Sequence, residues 1–341
     1  MSLWRYVRPG PEGRERLLQR FERTLDTRQL AAALAADSVA IDLDPAALAV
    51  RPVALKKDRF IIAFRGQTRA GAPITLVAKG YADERAASIH ANHVALWEGG
   101  LGDVDGPVRT SRPMALVPSL GVALSEWLPG NHPVPTDPST AAMAGAAAAQ
   151  LHGCSARLHT PLALDAFLAN VDRHVGLLSD RAPGLRRTCE TAALSLRRAV
   201  PRISFENGSP LNGDLSLGSF LIDGTRTYLI DWDMSCRFDA AWDVGHFLAQ
   251  LRRFGLERGE ATDSARTAFL EGYRSGTKEG GGRDFGGRTA FFEAAACLHK
   301  AYTVVRVGRE DSHEVAVALS EVAGQILGQL PARRPGHLAV P

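Results

Sequence analysis

The sequence has few of the residues that would commit it to a metal-cluster, redox or membrane role. Its four cysteines, Cys154, Cys189, Cys236 and Cys297, stand far apart and form neither a C-x-x-C pair nor the Cys and His spacing of a zinc site. They read as buried free thiols in a reducing compartment, which points to the cytoplasm. No run of about 18 apolar residues exists to span a bilayer. The opening MSLWRYVRPGPEGRER lacks the apolar segment of a signal peptide. Excess charge of one sign is missing too: the net charge is only +3, with Arg interspersed among Asp and Glu. That excludes a basic tract built for nucleic acid. No internal repeat is visible. What is present is ordinary globular composition, 45% hydrophobic and 23% charged over 341 residues. A chain of this length forms one large or two medium domains.

Residues 12 to 36 predict a helix, with Leu17, Leu18, Phe21 and Leu25 at helical spacing among Arg and Glu. Three strand-like runs follow, at 47 to 55, 59 to 66 and 73 to 81, joined by polar connections suited to hairpins. A helix over 83 to 98 and two more strands, MALVP and VALSEWL, end at Pro129-Gly130. From Asp137-Pro138, a good N-cap and first-turn pair, the chain turns helical. Helices are expected from 138, from Leu164, and over 185 to 200, 241 to 254, 261 to 275, 287 to 307 and 312 to 330. The Ala- and Gly-rich run after 138 suits close approach of a neighbouring helix. His152 and His159 are expected on one helix face, as packing or surface residues rather than metal ligands. The Gly280-Gly281-Gly282 loop and the tail read as flexible. The expected fold is α+β and two-lobed: a helical extension (1–45), a β-rich lobe (46–130), a helical lobe (131–330) and a tail (331–341).

One hairpin interrupts the helical lobe, in NGDLSLGSFLIDGTRTYLIDWD (212–233). A turn at Asp223-Gly224-Thr225-Arg226 places Ser219 opposite Ile230 and brings Asp214, Ser219 and Asp231 to the open end. Converging carboxylates repel unless one is protonated or a cation lies between them. Mg2+ suits the set, since it prefers oxygen ligands and takes one or two carboxylates together with phosphates. Asp214, five residues before Ser219, is placed to take a proton from an attacking hydroxyl. A base, a metal ligand, a hairpin and a second metal carboxylate form the order that kinase-type phosphoryl transfer requires. The Asp-Trp-Asp of 231–233 also matches the Asp-x-Asp of metal-dependent glycosyltransferases, but the antiparallel strands upstream disfavour that reading.

The pattern resembles the aminoglycoside phosphotransferase and choline kinase type of small-molecule kinase, whose fold is that of the protein kinases. The resemblance rests on Asn212-Gly213-Asp214, Ser219, Ile230-Asp231-Trp232-Asp233 and Asp243-Val244-Gly245, and on the order of the lobes. It implies Asp214 as catalytic base and Asp231 as the main Mg2+ ligand, with Ser219 and Asp233 in the metal shell. Lys79 would hold the nucleotide phosphates, Glu126, Trp127 and Leu128 would form the hinge over which the base stacks, and Asp243 would order the catalytic loop. Two positions depart from the family pattern: Asn212 stands for its usual His and Ser219 for its metal-binding Asn. The turn between the first strands, LKKDRF, has no glycine; Lys56, Lys57 and Arg59 there suit phosphate contacts or a plain exposed turn. The acidic partner of Lys79 is left open between Glu84 and Glu98.

The function implied is transfer of the γ-phosphate of ATP or GTP, with Mg2+, to a hydroxyl of a small molecule, with no nucleic-acid or membrane partner. The near balance of charge from residue 256 onward favours a neutral sugar or natural product over a cationic aminoglycoside. Two alternatives stand beside it: a Ser or Thr of a precursor peptide as acceptor, or an inactive kinase-like binding module.

Overall fold

The structure, a computed structural model, describes residues 9–277, 284–308 and 311–330. The Gly280-Gly281-Gly282 loop and the tail from Pro331 lie outside the described residues. The first helical stretch is two helices rather than one, α1 (Pro11–Leu25) and α2 (Thr27–Ala36). Asp26 breaks it: its carboxylate accepts the amides of Arg28 and Gln29 at 2.9 and 3.2 Å and so caps a new helix start.

The strands β1 (Ala49–Leu55), β2 (Arg59–Gln67) and β3 (Pro73–Tyr81) precede α3 (Ala86–Leu96). After it come β4 (Val108–Thr110), β5 (Pro113–Val117) and β6 (Val122–Glu126). Five of these strands form one antiparallel sheet in the order β1-β2-β3-β6-β5. Alternation along β2 turns Phe60, Ile62 and Phe64 to one face, where Leu76, Ala78, Val122 and Leu124 join them. Leu17, Leu30 and Leu34 of α1 and α2 close the same core. The N-terminal helices are therefore part of the small lobe's interior. Each large aliphatic or aromatic side chain buried there stabilises by roughly 1.5–3 kcal/mol.

The larger lobe comprises α4 (Pro138–Gly153), α5 (Leu164–Arg181), α6 (Arg186–Ala199), β7 (Ser209–Leu211), β8 (Phe220–Asp223), β9 (Arg226–Leu229) and β10 (Cys236–Phe238). It ends with α7 (Ala241–Arg258), α8 (Asp263–Gly276), α9 (Phe285–Val307) and α10 (Ser312–Gln329). Small residues set the α4–α8 crossing, because a Cβ on Gly145 would come 2.1 Å from the Phe269 carbonyl oxygen and one on Gly272 as close to Ala142. Phe167, Phe238, Trp242 and Phe292 pack edge to face or tilted in the second core, with Phe167 and Trp242 centroids 5.0 Å apart. The β8–β9 hairpin has the expected register, Asp223 opposite Arg226, and the Ile230 amide donates to Ser219 O at 2.9 Å. β4 adds to it in parallel, and β7 pairs with β10. At three residues each, these strands are too short for period-2 alternation to register in the sequence. One expectation is corrected: α4 ends at Gly153, so His152 is helical and buried, whereas His159 lies beyond the helix.

Candidate active site

The loop between β7 and β8 is held from below by α7. Asp243, fully buried in the first turn of α7, accepts the amide of Asn212 at 2.8 Å and that of Gly213 at 2.9 Å. Charge-assisted bonds of this kind are about twice as strong as neutral ones. His152 Nε2 lies 3.2 Å from the same carboxylate, and Trp242 Nε1 donates to Gly213 O at 3.0 Å. Gly213 sits at φ 83°, in the left-handed region that glycine tolerates. The Asn212 amide donates to the carbonyls of Ile230 and Asp231 at 3.2 and 3.0 Å, which ties this loop to the end of the hairpin. Asp231 itself has φ 64°, an unusual conformation for a side-chain-bearing residue and one that concentrates at functional sites.

Asp214 and Asp231 line one recess together with Arg59, Arg85, Ser216, Asp233 and Met234. Ser219 does not reach it. Its hydroxyl accepts the Ser216 amide at 3.1 Å and donates to Asn212 Oδ1 at 3.3 Å, and only 2% of the residue is exposed. The serine thus closes a capping box on the turn at Leu217–Ser219.

The two recess carboxylates meet opposite environments. Burial in the groove raises the pKa of Asp214, and the ammonium of Lys300, 3.8 Å away, only partly counters this. Burial acts in the same sense on Asp231, but Lys79 at 2.6 Å outweighs it and holds that carboxyl down to about 2. Lys79 also meets Asp233 at 2.6 Å; burial works against its charge, the two carboxylates win, and its pKa rises. Tyr81, on the same face of β3 as Lys79, donates to Asp233 at 2.6 Å, and Arg59 lies 3.2 Å from that carboxylate. Asp233 is therefore enclosed by partners, whereas nearly half of the Asp231 side chain is open.

These pairs answer the question about Lys79. Helix α3 carries no Asp or Glu, and Glu84 is drawn off to Arg20 at 2.8 Å; Lys79 pairs instead with Asp231 and Asp233 of the opposite lobe. In the segment expected to form the hinge, Glu126 binds Arg109 through both oxygens at 2.8 and 3.1 Å, which leaves its side chain to structure. The Trp127 amide donates to Thr75 O at 3.2 Å, its ring lies under Arg51 at 5.3 Å, and Leu128 is buried.

Two site residues escaped the sequence reading. His246 Nε2 lies 3.2 Å from Asp214, and its Nδ1 lies 2.9 Å from Leu215 O. Burial, reinforced by the charge of Lys300, lowers the imidazole to about 3, so it is neutral, with its proton on Nδ1 toward the Leu215 carbonyl. A signal existed in Asp243-Val-Gly-His246, one helical turn apart on α7. Lys300 had none, for it comes from α9, far along the chain. Among the described residues no three His, Cys, Asp or Glu side chains are arranged to hold a metal alone. The exposed, ionised Asp231 nonetheless suits Mg2+, which keeps waters and phosphate oxygens as its other ligands.

Residues 67–284 match the profile of the phosphotransferase enzyme family. Searched against curated proteins, the sequence finds no match. Among solved structures, a choline/ethanolamine kinase family protein from Mesorhizobium loti superposes with a TM-score of 0.58 at 17% identity, covering 78% of this chain and 88% of its own. A macrolide 2'-phosphotransferase from Brachybacterium faecium gives 0.56 at 16% identity, covering 91% and 99%. An amicoumacin kinase in complex with AMP-PNP, Ca2+ and its antibiotic gives 0.58 at 11% identity, covering 92% and 96%. Across these lengths the chain shares their fold.

Proposed function

The chain belongs to the phosphotransferase enzyme family, and from that premise we propose that it transfers the γ-phosphate of ATP or GTP to a hydroxyl of a small molecule. The observation that carries this reading is the single recess where Asp214 and Asp231 meet, with Lys79 bonded to the second. The acceptor hydroxyl gives its proton to Asp214 as its oxygen attacks the γ-phosphorus; the new P–O bond forms as the bond to the β-phosphate oxygen breaks. The raised pKa of Asp214 makes it a better proton acceptor than an ordinary carboxylate, and the neutral His246 lies 3.2 Å from it. Lys79 neutralises nucleotide phosphate charge, and Lys56 and Lys57 on the β1–β2 turn stand at the same groove. Mg2+ would be held by Asp231, beside the enclosed Asp233, and when bound supplies charge neutralisation on the phosphate oxygens. Ser219 keeps to its capping bonds in this scheme. Glu126, Trp127 and Leu128 would frame the nucleotide base through backbone and ring. A nucleotide analogue bound in the amicoumacin kinase supports the choice of donor. The four free cysteines fit a cytoplasmic enzyme.

A second reading has its own observation: Lys79 closed onto Asp231, with no acidic partner on α3 and Ser219 turned inward, suits an inactive module that only binds. Calorimetric titration with Mg-ATP and Mg-GTP, with release of γ-phosphate followed over hydroxylated compounds and Ser- or Thr-containing peptides, separates the two. Binding with turnover that Asp214→Asn removes, at nearly unchanged nucleotide affinity, is expected. Binding without any turnover in the wild type establishes the inactive module.

A further inference from the structure

Helix α1 lies behind the strand that carries Lys79. Alternation along β3 turns Lys79 and Tyr81 toward Asp231 and Asp233, and Gly80 between them toward the core of the small lobe. Gly80 is the cross-strand partner of Phe60, and a Cβ on it would come 2.1 Å from the Phe60 ring. Phe21 of α1 packs edge to face on that same ring, with centroids 5.3 Å apart. The stack of Phe21, Phe60 and Gly80 therefore sets how far forward the end of β3 stands.

Arg20, on the same helix, grips the point where β3 stops. Its Nη1 donates to the carbonyl of Tyr81 at 2.7 Å and to that of Asp83 at 3.1 Å, and its Nη2 donates to Glu84 at 2.8 Å. Bonds from a charged donor are about twice as strong as neutral ones. The guanidinium lies on Gly121, in the turn between β5 and β6, where a Cβ would come 2.5 Å from Arg20 Cζ. Only 13% of the Arg20 side chain is exposed. Six residues earlier, Arg14 donates to Lys56 O at 2.5 Å, on the β1–β2 turn that lines the groove. One helix thus fastens the backbone of both segments that bring small-lobe lysines to the groove.

We infer that Arg20 is a positioning residue of the nucleotide site: it fixes the end of β3 from behind, so that Lys79 and Tyr81 stand at hydrogen-bond distance from Asp231 and Asp233. This deepens the proposed function and rests on it for the role of Lys79. Helix α3 offers Lys79 no carboxylate. The brace comes from the N-terminal helix instead, and it acts through the backbone beside the lysine rather than through a charge placed on it. The helices ahead of the β-rich lobe are thereby part of its working machinery.

Arg20→Met keeps an unbranched apolar stem and removes the donors. Hydrogen exchange on the full, ligand-free chain reads the brace directly: the amides of residues 79–82 should exchange about tenfold faster or more in the variant, while those of Leu76 and Val77 keep their wild-type rates. Calorimetry with Mg-AMP-PNP reads the consequence. Its Kd should rise roughly three- to tenfold, and Arg20→Met added to Lys79→Met should cost little beyond Lys79→Met alone, because both act through one ammonium. Leu30→Ala, which thins the same core from α2, should lower the Tm and leave the Kd unchanged. Unchanged exchange at 79–82, faster exchange throughout the sheet, an unchanged Kd, losses that add fully in the double variant, or a Leu30→Ala effect on Kd as large as that of Arg20→Met each overturns the inference. Failure of the wild type to bind Mg-AMP-PNP counts against the phosphotransferase reading instead, and the exchange pattern alone then decides whether Arg20 braces β3.

Discussion

The two halves of the groove treat charge differently. On the side of Lys79, cations and carboxylates are matched at close range: Lys79 with Asp231 and Asp233, Arg59 with Asp233 and Asp58, Arg85 with Asp83 and Asp58. Beyond Asp214, cations outnumber carboxylates along the wall. The first half is a self-compensated network. The second pairs its charges at longer range, Lys300 with Asp214 at 3.8 Å and Arg253 with Glu257 at 3.4 Å. The contrast teaches that tight and loose ion pairing can occupy different walls of one cleft.

The comparison breaks first at Asp231. Asp231→Asn removes an open carboxylate that Lys79 keeps ionised, and kcat should fall by on the order of 10²–10⁴, a loss of several kcal/mol of charge stabilisation; steady-state kinetics at saturating Mg-nucleotide measure it. Next is Lys79→Met, expected to raise the nucleotide Kd by about tenfold or more; the same change releases Asp231 from about 2 toward ordinary carboxylate values, visible by carboxyl NMR titration.

A pH profile sharpens the contrast further. Asp214 must be ionised to act as base and its pKa is raised, so the acid limb should lie above the ordinary carboxylate range. Lys300, which faces Asp214, Arg253 and Cys297, carries its charge below about pH 8 and loses it above, so kcat/KM should decline there by about tenfold per pH unit. Lys300→Met should abolish the alkaline limb and keep the acid one; a limb near 8 that persists in this variant contradicts the assignment. The smallest effects are on stability. Asp243→Asn disturbs buried bonds to two amides and should cost about 1–3 kcal/mol, read from denaturant unfolding. Glu126→Gln, on a part-exposed pair with Arg109, should cost about 1 kcal/mol or less.

Much of this was legible in the sequence because local rules and the fold agree. Period-2 alternation gave β2 and β3 nearly to the residue, helical spacing and Asp137-Pro138 gave α4, and the Asp223-Gly224-Thr225-Arg226 turn fixed the hairpin register. What escaped notice depends on distant contacts. The partners of Lys79 are 152 residues away in the chain for Asp231, and no spacing rule links them. Lys300 is one of three cations, with Arg288 and Arg306, on a largely apolar helix, and its place beside Asp214 follows only from the packing of α9 against α7. Ser219 was legible as a position but not as an orientation: whether a hydroxyl faces a metal or caps its own loop depends on geometry below one residue.

The bonds from Lys79, Tyr81 and Arg59 to the Asp231–Asp233 segment all run from the small lobe to the large one, so the jaws cannot part without rupturing them together. If the groove takes a nucleotide as proposed, its admission and the departure of its spent form share a single latch. A nucleotide phosphate that claims Lys79 loosens that fastening while taking its place, which makes cleft opening a competition between two anions for one ammonium.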